Sequence, residues 1–211
     1  MDMDKVWEWS TEEFLTVSAS SSPTPGGGSV SAYVGALAAS MTCMVANLTI
    51  GKEKFKDIEP QVKEILSQAE AVLSALKNGL SEDIAEFSNF MAALKLPKGT
   101  EEEKTLRTEK LQEVLVSATN TPLGISQNCF KILQLAQELA PIGNKGAISD
   151  IGVAAYLAES ALKSAMLSVD INLPQIKDVG YKEQVLAERA KLFEQAALIC
   201  AETVAVVQSR L

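Results

Sequence analysis

Apolar residues along this chain recur at intervals of three and four, in stretches rich in Ala, Leu, Glu, Lys and Gln. That spacing and composition predict amphipathic helices. Ser10 with Glu13 has capping-box spacing and predicts a short helix to about residue 17, ended by a Ser-rich run and Pro23. A break over residues 18–28 leads into an apolar run over residues 30–50. Pro60 suits the first turn of a long helix to about residue 94, with Val62, Ile65, Leu66, Ala69, Val72, Leu73 and Leu76 on one stripe and Gly79 as a place to kink or divide. Residues 96–100 read as a turn, and Thr100 with Glu103 forms a second capping box. The helix that follows is expected to stop before Pro122, because proline has no N–H to continue the ladder. Further helices are expected over residues 123–139, 148–171 and 182–211, separated by segments 141–146 and 172–174. No alternating strand pattern and no internal repeat is visible. The expected fold is all-α, one domain over residues 1–211, a multi-helix bundle with a long buried central helix.

Residues 14–51 contain no charged side chain, and the apolar part is long enough to cross a bilayer. Ser31, Gly35, Ser40, Thr42, Asn47 and Thr49 interrupt it, and neither a one-sided basic flank nor an aromatic belt bounds it. Gly35, Ala36, Ala38, Ala39 and Ser40 suit close helix packing instead, so the segment is read as the central helix of a bundle.

With 211 residues, 47% of them hydrophobic, the chain can bury a substantial core. A formal charge of -8 argues against nucleic acid as a partner, since that affinity rests on clustered Lys and Arg. Cys43, Cys129 and Cys200 are odd in number, widely spaced and without a CxxC pair, so neither a disulfide framework nor a thiolate zinc site is expected, and no metal site is assigned. There is no histidine, which removes Ser-His and Cys-His nucleophile pairs and the commonest general base. Acid/base work must fall to Asp, Glu, Lys, Tyr, Cys or water. Residues 1–10 hold Asp2, Asp4, Lys5 and Glu8 with no apolar core, so no secretory signal and a cytoplasmic location are expected.

The most distinctive local feature is Ser22-Pro23-Thr24-Pro25-Gly26-Gly27-Gly28-Ser29, directly before the central helix. Two prolines stiffen the approach, and three glycines let backbone come close to a ligand. Amides at a helix start can hold an anion or a developing oxyanion. The spacing matches neither a phosphate loop nor a dinucleotide fingerprint, and a simple helix-start turn would also account for it.

PTPGGGS, the charge-free helix, Met44-Val45-Ala46-Asn47-Leu48-Thr49 and Gly51-Lys52 together resemble the opening of the formimidoyltetrahydrofolate cyclodeaminase family. The likeness continues through Asp83 and Phe87, Lys95-Leu96-Pro97-Lys98, Pro122-Leu123, Gly143-Asn144, Ser149-Asp150 and Ile171-Asn172-Leu173. That family includes the cyclodeaminase half of a bifunctional enzyme of histidine breakdown and stand-alone bacterial methenyltetrahydrofolate cyclohydrolases. Asn47-Leu-Thr-Ile-Gly-Lys, Gly143-Asn144 and Ile148-Ser-Asp-Ile-Gly-Val-Ala look nearer to the cyclohydrolases. Two positions depart from the pattern: Ser168 stands where relatives often carry Asn, and Asp170 where an apolar or aromatic residue is usual.

The resemblance implies a substrate whose methenyl carbon, an amidinium between two nitrogens, is already electrophilic. Water then suffices as nucleophile, with no cofactor beyond the folate. It implies Asp150 as the first proton-transfer candidate and Asp83 as the second. For Asp150, favourable placement at a helix start with Ser149 as cap is the structural alternative, and for Asp83 a solvated helix face. Lys52 is implied as a contact to folate, such as its glutamate tail, against a plain cation at a helix C-terminus. Pro25, Gly26, Gly27, Gly28 and Ser29 would line the site, and Asn47, Asn144 and Asn172 would read the pterin edge, with Gly143 and Ser149 beside them. Asn144 after Gly143 equally suits a turn. Trp7, Trp9 and the run Glu101-Glu102-Glu103-Lys104 are assigned packing and solvation only. Relatives form dimers, so a homodimer is expected. Two rivals stay open: a cyclodeaminase, releasing ammonia on ring closure, and a non-catalytic helical protein that binds a tetrahydrofolate, polyglutamylated or not.

Overall fold

A computed structural model describes residues 3–211; Met1 and Asp2, on which part of the leader reading rests, lie outside the described residues. Six α-helices carry the chain: α1 (Thr11–Ser18), α2 (Gly27–Asn47), α3 (Glu59–Leu94), α4 (Glu101–Leu139), α5 (Ile148–Asn172) and α6 (Val179–Arg210). Single 3-10 turns follow α2 and flank α5, another precedes α1, and no strand occurs among the described residues.

Local chemistry sets most of the boundaries. Ser10 and Thr100 both close the expected capping boxes, accepting from the backbone N–H of Glu13 and Glu103. Asp178 accepts from Tyr181 N at 3.0 Å and starts α6 three residues before the expected position.

The helices α2 to α5 form an antiparallel ring in which each packs on its sequence neighbour and α5 closes back on α2. The ring is tight because its centre is built from small side chains. Ala32, Ala38, Ala39 and Ala46 of α2 are fully buried, and a β-carbon on Gly35 would stand 2.7 Å from the Cys129 sulfur. Thus α2 is the expected central helix: long and apolar enough to pass for a membrane span, yet mostly buried among its neighbours. On the outside, α6 covers α5 and α4. Trp7 and Phe14 stack on Tyr33 at 5.7 and 4.7 Å, covering the α2–α3 flank.

Two expectations about breaks fail. Gly79 does not divide α3; its missing side chain admits Ile125, whose Cγ1 would lie 3.0 Å from a β-carbon there. Pro122 does not end α4, which runs through it unbroken. A proline at 122 leaves the Ala118 carbonyl without its helical donor. The side-chain amide of Asn172, at the end of α5, donates to that carbonyl at 3.1 Å. The orphaned acceptor is thereby satisfied from a neighbouring helix.

Candidate active site

At one end of the ring α2 and α5 stop short, while the α3–α4 hairpin continues past them. The notch between holds a cavity of about 340 Å³, lined by Pro23, Thr24 and Gly26 to Gly28, by Asp83, Glu86, Phe87 and Phe90 of α3, by Ala118 of α4, and by Ser168, Ile171, Asn172 and Gln175. The volume is in the range of small-ligand sites.

The glycine-rich segment and Asp83 form one unit. Gly26, at the N-cap of α2, offers no side chain to the free amides of the first turn. Asp83 reaches across from α3 instead: the Ser29 hydroxyl donates to its Oδ2 at 2.6 Å. Gly28 makes this possible, because a β-carbon there would lie 2.1 Å from Asp83 Oδ1. Burial pushes the Asp83 carboxyl above its ordinary pKa, while hydrogen bonds from the Ser29 hydroxyl and backbone pull it partway back. An acid/base group of this kind, facing an apolar-walled cavity, is suited to take a proton from water and return it. The three thiols are buried and pushed up, Cys43 to about 11, Cys129 and Cys200 to about 12, which suits them to packing and not to nucleophilic work.

The structure divides the residues singled out in the sequence. Pro25, Gly26, Gly27, Gly28, Ser29, Asp83 and Asn172 gather at this notch. Asn47, Lys52, Gly143, Asn144, Ser149 and Asp150 lie at the opposite end, about 30 Å away by the rise of α2. Asn144 is there committed to the fold. Its backbone N–H donates to Thr49 Oγ1 and its side-chain amide to the Leu48 carbonyl, both at 2.9 Å, while its Oδ1 accepts from Gly146 N. Arg210 donates to the carbonyls of Gly143 and Ala140. Ser149 is exposed and caps nothing, since α5 begins at Ile148; Asp150 is half-buried in its first turn. Lys52 borders a shallow hollow with Lys56, Lys63 and Glu59.

Glu86, Phe90, Ala118, Ile171 and Gln175 were not singled out as site residues. A signal was present for part of the set. Asp83, Glu86, Phe87 and Phe90 fall at i, i+3, i+4 and i+7, one face of α3 that mixes two carboxylates with two aromatic rings. Such a face suits a ligand wall better than core or solvent.

The departures at 168 and 170 separate in space. Ser168 lines the cavity, whereas Asp170 turns away and pairs with Arg189 at 3.0 Å.

Comparison with known proteins adds four findings. Residues 10–191 match the formiminotransferase-cyclodeaminase family. The chain is 39% identical over 199 residues to a methenyltetrahydrofolate cyclohydrolase of Methylorubrum extorquens, covering 94% of this chain and 96% of that one. It is 32% identical to the formimidoyltransferase-cyclodeaminase of Rattus norvegicus over 95% of this chain but only 37% of the relative's length. Among solved structures it resembles the formiminotetrahydrofolate cyclodeaminase of Thermotoga maritima, with a TM-score of 0.86, 29% identity, and coverage of 97% of this chain and 98% of that chain.

Proposed function

The chain belongs to the formiminotransferase-cyclodeaminase family, and on that premise we propose that it is a methenyltetrahydrofolate cyclohydrolase, hydrolysing 5,10-methenyltetrahydrofolate to 10-formyltetrahydrofolate in the Asp83 notch. The observation that favours hydrolysis is the 39% identity to a cyclohydrolase over nearly the whole of both chains.

The reaction adds water to the amidinium carbon and opens the bond to N5. In this reading Asp83 accepts a proton from the attacking water as the carbon–oxygen bond forms. It then delivers that proton to N5 as the carbon–N5 bond breaks. The hydroxyl proton of the adduct leaves to solvent as the formyl carbonyl forms, so one proton is released per turnover. Phe87 and Phe90 offer apolar surface to the ring system, and the α2 amide end favours developing negative charge. No cofactor beyond the folate is needed. Asp150, the first candidate from sequence, is not given this role, because it stands at the far end of α5. The enzyme is read as a cytoplasmic homodimer acting on tetrahydrofolates with or without a polyglutamate tail.

A second reading has support in the fold match to a formiminotetrahydrofolate cyclodeaminase. There N10 attacks a formimidoyl carbon and ammonia leaves, and the same carboxyl would protonate the departing amine. Two assays separate them: loss of the near-ultraviolet methenyl band in a non-catalytic buffer marks the cyclohydrolase. Appearance of that band from formimidoyltetrahydrofolate with ammonia release, and no accelerated hydrolysis, would reject it for the cyclodeaminase.

A further inference from the structure

Substrate and product of the proposed hydrolysis differ in charge at the reacting carbon. The methenyl form carries a delocalised positive charge on its N–C–N unit, and the formyl product carries none there. A site that tells the two apart must favour a cation, which makes the sign of the notch informative.

The backbone contributions to that sign oppose each other. Helix α2 starts at the notch and α5 ends there, so partial positive charge from free N–H groups meets partial negative charge from free carbonyls. Side chains therefore decide, and the lining holds two carboxylates, Asp83 and Glu86, with no lysine or arginine. The two are not equivalent. Asp83 is tied to Ser29 and shifted towards its protonated form by burial. Glu86 stands about 4.5 Å further along α3 by helical rise. It is half-buried and has neither an ion pair nor a side-chain hydrogen bond among the described residues. It also borders a second hollow between α3 and α4, whose lysine, Lys110, is already paired with Glu113 at 2.8 Å.

Aromatic rings complete the pattern. Phe87 follows Asp83 and Phe90 follows Glu86 at i+4, so each carboxylate has a ring one turn further on the same face. A ring face attracts a flat, delocalised cation, and a carboxylate beside it adds to that attraction.

We propose that Glu86 is the specificity-determining residue of the notch: its carboxylate, with the Phe90 ring, holds the positive charge of the methenyl substrate and favours it over the uncharged formyl product. Asp83 is left to move the proton. Because addition of water removes the charge, Glu86 serves capture of substrate and release of product and not the chemical step. The inference rests on the folate reading for its ligand.

Binding measures this without turnover. The Asp83→Asn chain isolates Glu86 as the remaining carboxylate. Its dissociation constants are taken by ultrafiltration in non-catalytic buffer for 5,10-methenyltetrahydrofolate and for tetrahydrofolate, which has the same glutamate end but an uncharged ring. The methenyl form should bind more tightly. Adding Glu86→Gln should cut that preference about fivefold, as for loss of one partly exposed charge pair, while tetrahydrofolate binding moves less than about twofold. Glu86→Asp should keep part of the preference. In the otherwise wild-type chain the same ratio is read as KM for the methenyl form against the inhibition constant of tetrahydrofolate, and Glu86→Gln should lower it alike. No preference for the methenyl form, or one that Glu86→Gln leaves unchanged, overturns the proposal. So does equal weakening of both ligands, which marks a merely structural role. Hydrolysis fails separately: a wild type that shows the Glu86-dependent preference without accelerating methenyl decay supports this inference and removes the cyclohydrolase reading.

Discussion

The chemistry assigned to Asp83 depends on contacts only a few atoms wide. Burial pushes the carboxyl above its ordinary pKa, and hydrogen bonds from Ser29 act against that shift. Asp83→Asn should lower kcat by about 10²-fold or more, as expected for loss of an acid/base group. The sign for stability runs the other way. A buried carboxyl with a raised pKa binds its proton more tightly folded than unfolded, so its contribution falls as pH rises through the window between the two pKa values. Above that window, Asp83→Asn should melt no lower than wild type, and thermal scans at acidic and alkaline pH check it. Ser29→Ala should move the acidic limb of the kcat/KM profile to higher pH, because it removes a hydrogen bond to the ionised form. At this scale the sequence was half legible. PTPGGGS and Asp83 stood out through resemblance. That Gly28 exists to admit Asp83 was not, because the two meet across 55 positions of chain.

Elements were more legible than sites, since capping boxes and apolar stripes are local. Both boxes and the length of α5 follow from neighbours within four residues. Pro122 misleads for the opposite reason: the donor that rescues its turn is Asn172, fifty residues on. Asn172 thus has a structural task besides lining the notch. Asn172→Ala should cost about 1–3 kcal/mol by leaving the Ala118 carbonyl unpaired. In a Pro122→Ala background, where the helix regains its own donor, the same change should cost less, with a coupling of about 1 kcal/mol. Denaturant unfolding of the four proteins measures it, and additive losses would deny the link. Gly35→Val should be among the worst core changes, since its side chain has no room beside Cys129 and Leu76.

The whole molecule sets the Asp83 notch and the Lys52 hollow at opposite ends of the uncharged helix α2, an arrangement visible only after folding. Helical period predicts that α2 is buried and that α3 is striped, but not that α2 and α5 run antiparallel with their uncharged faces side by side. For the same reason Asp83 and Asp150 could be singled out from sequence as one site, though a single chain keeps them at opposite ends. The central claim is that the notch around Asp83 hydrolyses a methenyl folate. Its most direct test is the decay of methenyltetrahydrofolate absorbance in a non-catalytic buffer, with wild type and Asp83→Asn at equal, folded concentration. Decay accelerated by wild type and brought near the uncatalysed rate by the substitution is the expected result. Equal acceleration by both proteins, or none by wild type, would contradict it.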